Sequence, residues 1–468
     1  MTDAAPPAPP ETEPVALPPE EAAPSGAGTA PLLARIGGLK VQALVAVGLK
    51  AGAAATALLL QWLIARIYGP EGTGLFALMA TTVTFIGVVA VAGQDYISLR
   101  NVAGDLAEAK PGEARAHARA SVRIAMVSTV LGTLAVGGVA LAYGFGLQPA
   151  MMPILLLAAP VVAGLSLGRV FSFVARAGGR IISSQLPDGP ITSAVSVSLL
   201  LIAFLAWGTP PSWTLGAVYG IAYIAALGFA FGLYRRVTAP WPGDGMAKPL
   251  RPILVAGLPM VLASASPYFS DWAVIFTATA AFGPEVAGQV RIVMLFLSVM
   301  YLISIAIEGV IAPTIANAIR RNDRRKVAKV YKGAVIAALV LNAPLVASGL
   351  AIPAVYLNLF GQEFATVESL LRSAVLIQVI TISLGPAGMV LVMSHREQSV
   401  LIVNAVGLFV ATMGCLFFIP RFGISAATLV PPTVLLTKRL CEIILLKSPK
   451  SLVSRSKPEE ASRDHGLR

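Results

Sequence analysis

Four ionisable side chains stand inside long apolar stretches of this sequence: Lys50, Asp271, Arg291 and Arg372. A charge placed in hydrocarbon costs roughly 2.5–3.5 kcal/mol, so each needs something other than lipid to face. Lys50 falls about 12 Å into its apolar stretch at about 1.5 Å per residue. Gln61 follows it about three helical turns later, on the same face. Asp271 sits mid-stretch, on one face with Ser264 and just after Pro259 and Pro267, which would bend a helix there. Cations converging on one cavity would give it a positive potential, with Asp271 as a counter-charge or as the carrier of a coupling proton or sodium ion. Several of these groups also have a plain structural reading. Arg372 follows Glu368 by one helical turn and can pair with it. Arg291 lies near a stretch end and can snorkel to the surface, as can Glu308. Asp95 and Asp188 fall at interfaces, and Asp188, ahead of Gly189-Pro190, can cap a helix. Lys50 and Asp271 are too deep for that escape, and their depth assigns them to the cavity.

Nothing in the chain resembles catalytic or metal chemistry. The three histidines, His117, His395 and His465, are scattered, and Cys415 and Cys441 show no CxxC spacing. No cofactor is expected, and the sequence reads as a non-enzyme.

The elements that hold these residues follow from composition. Apolar residues make up 56% of the chain and charged residues 12%, about half the usual share for a soluble protein, and the mean hydropathy is +0.78. A spanning helix needs about 20 apolar residues. Stretches of that kind lie near 42–66, 73–93, 121–145, 150–174, 190–207 and 212–234, then near 253–281, 287–312, 332–358, 366–392, 397–419 and 424–446. The last is the weakest, with Pro431-Pro432 inside it and Lys438, Arg439 and Glu442 in its second half. Basic residues concentrate in alternate connections: Arg100, Lys110, Arg115 and Arg119; Arg176 and Arg180; Arg235, Arg236, Lys248 and Arg251; Arg320 to Lys329; and Arg396. The intervening connections are short and nearly free of positive charge, apart from Arg421. Positive loops mark the cytoplasmic side, so both termini are expected in the cytoplasm. The surplus of 35 Lys+Arg over 23 Asp+Glu then reports basic loops against anionic lipid rather than a nucleic-acid partner.

The chain repeats itself. Gly69-Pro70-Glu71-Gly72-Thr73-Gly74 follows the first apolar stretch, and Gly283-Pro284-Glu285-Val286-Ala287-Gly288 follows the seventh. A Gly-Pro-Glu turn is ordinary once, but here it recurs at equivalent places in two sets of six. The expected fold is therefore all-α: about twelve transmembrane helices in two parallel-related six-helix bundles around a central cavity. Residues 32–236 and 252–446 would form the lobes and 237–251 a cytoplasmic linker. The Pro-, Ala- and Glu-rich residues 1–31 would form a disordered tail and 447–468 a basic one.

The segment from Leu60 to Leu78, with its Tyr68-Gly69-Pro70-Glu71-Gly72 core, resembles the first hairpin of the oligosaccharide flippase (O-antigen translocase) family of the multidrug/oligosaccharidyl-lipid/polysaccharide (MOP) exporter superfamily. Gly93-Gln94-Asp95, Arg176 to Arg180, Gln185 to Asp188, Asp271, Leu359 to Phe364, Leu371-Arg372 and Ile419 to Ile424 extend the resemblance in order along the chain. It implies a transporter of the bacterial inner membrane that moves a polyprenyl-diphosphate-linked oligosaccharide to the outer leaflet during polysaccharide biosynthesis, alongside a polymerase or glycosyltransferases. On that reading Lys50, Gln61, Asp271, Arg291 and Arg372 are candidate substrate contacts, the cations meeting the diphosphate. The long N-terminal tail departs from the family pattern. Two alternatives remain beside it. A multidrug cation antiporter on the same scaffold would need more deep carboxylates. A membrane polymerase or ligase would need a large external loop.

The topology is testable directly. Reporter fusions after residues 146, 209 and 285 should read external, and those after 110, 240 and 325 cytoplasmic. Reversal at any two sites would sink it.

Overall fold

The computed structural model describes residues 32–447 except 244 and 395. The expected tails, His395 and His465 lie outside the described residues. The described residues from Ala46 onward form one compact unit, and those from 32 to 45 form another.

The described residues form helices and turns with no strand. The first half contains α1 (Leu32–Ala90), α2 (Gln94–Ala107), α3 (Pro111–Ala142), α4 (Met151–Ala158), α5 (Pro160–Ala177), α6 (Pro190–Trp207) and α7 (Trp213–Thr238). The second half opens with α8 (Leu250–Phe282), α9 (Pro284–Arg320), α10 (Arg324–Ala351) and α11 (Pro353–Phe360). It closes with α12 (Glu368–Ser383), α13 (Ala387–Met393), α14 (Glu397–Met413), α15 (Ile419–Phe422) and α16 (Ile424–Lys447). Five of these, α3, α5, α6, α9 and α11, begin on proline. Its fixed φ suits a first turn, where the missing N–H has no intrahelical partner to lose.

Ten helical segments are long and apolar enough to cross a membrane. The first of them, Gly48–Ala107, is 60 residues long, about three membrane thicknesses at 1.5 Å per residue. Gly69, with φ 65° and ψ −164°, divides α1 into two crossings. α16 falls outside the ten because of its charged second half, yet it is continuous through Pro431-Pro432. Counting both crossings of α1 and adding α16 gives the expected dozen. The chain is a multi-pass membrane protein.

Helices α2 to α7 pack on one another, as do α8 to α16, and α8 also touches α2 and α3. Within the first bundle, small residues set the closest approaches, as is usual between helices in lipid. A Cβ on Gly216 or Gly220 of α7 would strike the carbonyls of Ile154 and Leu157 in α4. Thr129 of α3 and Ser166 of α5 share a buried hydroxyl contact of 2.6 Å.

The two copies of the repeat meet. A Cβ on Gly74 would collide with the Pro284 carbonyl, and a Cβ on Gly288 with the Pro70 carbonyl. Each half thus offers the other its proline carbonyl and receives its glycine, the reciprocity expected across a two-fold axis. The glycines are needed here because backbone lies on backbone.

The structure corrects several expected boundaries. Residues 94–120 are not a plain connection: α2 fills the first part and α3 starts at Pro111. The expected span 332–358 breaks at Ile352 (φ −133°), ahead of Pro353; the proline ring excludes the residue before it from helical geometry. The span 366–392 breaks between α12 and α13 at Gly385, whose φ is 78°, and Pro386. Glu308 does not snorkel: Arg439 of α16 donates to its Oε1 at 2.7 Å, inside the second bundle.

Gly74→Ala should lower the melting temperature of the detergent-solubilised protein, with overpacking costing about 1–3 kcal/mol. Gly137→Ala, whose added Cβ meets nothing within 4 Å, should be neutral. Equal melting temperatures for the two variants would mean that the seam yields without cost.

Candidate functional site

Between the two bundles lies an inner chamber of about 480 Å³, walled by α1, α6, α7, α8 and α9. Its polar lining includes Gln61, Tyr219, Tyr223, Tyr268, Asp271 and Arg291. A vestibule of about 430 Å³ adjoins it, lined by Lys50, Tyr96, Arg169, Arg176, Gln185 and Asp188. The two share their boundary along the chain: Ala53 and Pro190 face the vestibule, and Ala54 and Gly189 face the chamber. The vestibule lies on the side of the α5–α6 connection, one of the basic ones.

Its place on two cavities explains why Asp271 is tolerated in α8. Neighbouring atoms enclose it, yet its side chain is open, because it fronts the chamber and also a second cavity of about 220 Å³ in the C-terminal bundle. Arg291, on α9, is the cation close enough to act on its charge. The Nε of Arg291 and the Oε1 of Gln61 are buried without a protein partner. Both residues line the chamber, so both can reach a ligand held in it. Beside Asp271, the Trp272 indole donates to Thr82 Oγ1 at 3.1 Å and ties α8 to α1. Tyr219 and Tyr223 meet edge to face, with centroids 5.0 Å apart. Such rings offer flat faces and hydroxyls together.

The vestibule is held by a buried ion pair. Arg169 Nη2 lies 3.1 Å from Asp95 Oδ2, with Asp95 only 3% exposed. Asp95 Oδ1 accepts a further bond from the Tyr96 amide at 2.9 Å. The Arg176 guanidinium sits 4.4 Å from the Phe173 ring centroid, a cation–π distance.

The structure therefore brings Gln61, Asp271 and Arg291 to the chamber and Lys50 to the vestibule. Arg372 lines neither. It is half-exposed and bonded to Glu368 at 2.7 Å and to the Leu350 carbonyl at 3.0 Å, which is the helical ion pair its spacing allowed. Asp188 lines the vestibule instead of capping: α6 begins after Gly189 with no side-chain cap. Asp95 is the buried partner of Arg169. Sequence reading passed over Arg169, although an arginine inside an apolar stretch was visible there. The three chamber tyrosines carry no sequence signal at all.

Among solved structures, the chain is similar to an inward-facing multidrug resistance MATE family transporter of the MOP superfamily. The match has TM-score 0.66 and 15% identity, over 84% of this chain and 92% of that one. It is similar also to the lipid II flippase MurJ in an inward closed conformation, with TM-score 0.70 and 11% identity, over 86% and 88%. A MOP superfamily transporter from Pyrococcus furiosus, described as having a binding pocket of reversed polarity, matches with TM-score 0.57 and 15% identity, over 86% and 93%. The fold is that of the MOP superfamily transporters. By sequence, no family model and no curated relative matches the chain.

Removing Arg169 leaves Asp95 buried and unpaired, at a cost of about 3–5 kcal/mol. Arg169→Met should therefore sharply reduce the folded yield, and adding Asp95→Asn should restore most of it. Fluorescence-detected size exclusion reads both variants. A double variant no better than the single one would show that the pair does not act as a unit.

Proposed function

We propose that this protein is a flippase. It carries a polyprenyl-diphosphate-linked oligosaccharide from the inner to the outer leaflet of the bacterial cytoplasmic membrane, by alternating access, in polysaccharide biosynthesis. The observation that carries the reading is the sign of the charge along the combined cavity. With Arg169 matched by Asp95, the lining keeps Lys50, Arg176 and Arg291 against Asp188 and Asp271. A site for cationic drugs would need the opposite balance, whereas a diphosphate needs cations that donate hydrogen bonds. The tyrosines and Gln61 suit the sugars, which present hydroxyls and apolar ring faces. Membership of this fold supports transport in general, since both a multidrug transporter and a lipid-linked precursor flippase share it.

On this reading the vestibule opens to the cytoplasm, where Lys50 and Arg176 meet the diphosphate first. Arg291 then draws it inward, while Asp271 releases Arg291 to the incoming phosphate. The glycine seam between the two turns closes the far side and must part for release. No enzymatic step is assigned to any residue.

Lys50→Ala should insert normally yet lose transport, with Lys50→Arg retaining part of it because charge matters more there than shape. Asp271→Asn should be more damaging than Asp271→Glu. The measurement is build-up of lipid-linked oligosaccharide in cells, normalised to inserted protein. Normal transport by both Lys50→Ala and Asp271→Asn would refute the assignment.

A further inference from the structure

The last crossing carries a cation that no carboxylate answers. Lys438 is half-buried and lies about 14 Å from the cytoplasmic end of α16, at about 1.5 Å per residue. Its stem crosses Gly407 of α14, where an added Cβ would come within 2.7 Å of Lys438 Cδ. Its Nζ donates to Asn404 Oδ1 at 2.9 Å, a neutral acceptor. The carboxylates nearby are already engaged, since Glu308 and Glu442 pair with Arg439 at 2.7 and 3.1 Å. Among the described residues Lys438 forms no ion pair. An ammonium has three donors, and Asn404 takes one of them.

Lys438 lines the cavity of about 220 Å³ that Asp271 borders, among α8, α9, α14 and α16. Asp271 and Ser298 line both this cavity and the inner chamber, which makes it a side pocket of the chamber with Asp271 at its mouth. Arg439 lines a separate, smaller space of about 30 Å³ beside Gln378. The polar groups of the side pocket divide by kind. Ser270 gives its proton to the Ser266 carbonyl at 3.1 Å, and Ser298 gives its own to the Met294 carbonyl at 2.7 Å. Their oxygens therefore meet a ligand as acceptors, as does the Asp271 carboxylate. Lys438 is the cationic donor. Pro267, Val274, Leu297 and Pro431 supply apolar walls.

We infer that this side pocket binds an acidic sugar of the glycan, with its carboxylate on Lys438 and its ring hydroxyls on Asp271, Ser270 and Ser298. The inference rests on the flippase reading for the source of the sugar and narrows its substrate class. Three acceptors and one cation match a ligand that brings hydroxyl donors together with a single anionic group. A diphosphate diester or a free halide brings no donor. It would leave the three acceptors unmet, and Asp271 would repel it at the mouth. The apolar walls suit the C–H faces of a sugar ring. One water takes about 10–15 Å³ counted this way, so the pocket has room for about fifteen to twenty non-hydrogen atoms, the size of one sugar ring with its substituents. The diphosphate then stays with Arg291 in the chamber while the acidic unit reaches past Asp271.

The test uses the full chain in nanodiscs with two soluble probes: a short oligosaccharide carrying a hexuronic acid, and the same oligosaccharide with that carboxyl reduced to an alcohol. Calorimetry should show the acidic probe binding about tenfold tighter, the worth of one charge-assisted bond. In Lys438→Gln the two probes should bind alike, whereas Lys438→Arg should keep part of the preference. Equal affinities in the unmodified protein overturn the inference by themselves, so the decision stands even if Lys438→Gln fails to insert. A preference that survives Lys438→Gln overturns it too. So does chloride or inorganic pyrophosphate that displaces the acidic probe and binds more weakly to Lys438→Gln, since the pocket then belongs to a free anion. Liposome assays separate this inference from the flippase reading. The polyprenyl-diphosphate-linked acidic glycan should cross faster than its carboxyl-reduced form. If neither lipid crosses but the Lys438-dependent preference persists, the flippase reading falls and the pocket stands. If both cross at one rate and both probes bind alike, the pocket falls and the flippase reading stands.

Discussion

Hydrocarbon offers no partner to a charge, and the placement of charge in this protein follows from that constraint. The deep carboxylates among the described residues illustrate it, each with a protein counter-ion or a cavity to face. Asp95 has Arg169, Glu308 and Glu442 share Arg439, and Asp271 borders two cavities within reach of Arg291. The helices that supply these partners must keep their register for the pairs to close. A displaced α5 would strand Asp95, and a displaced α16 would strand Glu308. The polar groups thus fix the relative positions of helices that apolar packing alone would hold with less specificity.

The two bundles use the constraint differently. In the first, the polar surface is gathered on the chamber and vestibule, where a large ligand can reach it. In the second, Gln378 and Arg439 line a small space within the bundle. The two halves therefore differ: both line the wide chamber, and the second also holds a small space of its own. Asp271 and Tyr301 lie where the two kinds of space adjoin.

Much of this was legible in the sequence, for physical reasons. Apolar length and the alternation of basic loops gave the dozen crossings because the bilayer imposes both. The paired Gly-Pro-Glu turns were visible, and the structure packs them on each other. The breaks before Pro353 and at Gly385-Pro386 were passed over because hydropathy averages across a proline without registering it. Helix α2 was missed because a short helix with mixed faces has no long apolar run. Depth marked Asp271 as needing something other than lipid to face, and it lines two cavities, but depth measures distance along one helix and carries nothing about its neighbour. That is why Glu308 was assigned to the surface although Arg439 waited on α16, and why Arg372, equally charged, turned out to be bound to its own helix. The tyrosines of the chamber could not be told from any others until the fold assembled them.

The charge left on the cavity lining has an electrical consequence. When the cavity opens to one side, it takes that side's potential, and the membrane field falls across the closed side. With its close ion pair set aside, the empty lining carries one more cation than carboxylate, and the dianionic diphosphate of the proposed substrate would reverse the sign. Each elementary charge carried through the full field is worth about 2.3 kcal/mol per 100 mV. In the proposed orientation, a cell interior that is electrically negative pushes the loaded form outward and draws the empty form back. On the proposed reading both halves of the cycle would run downhill in voltage, and the resting potential itself would act as a rectifier for export.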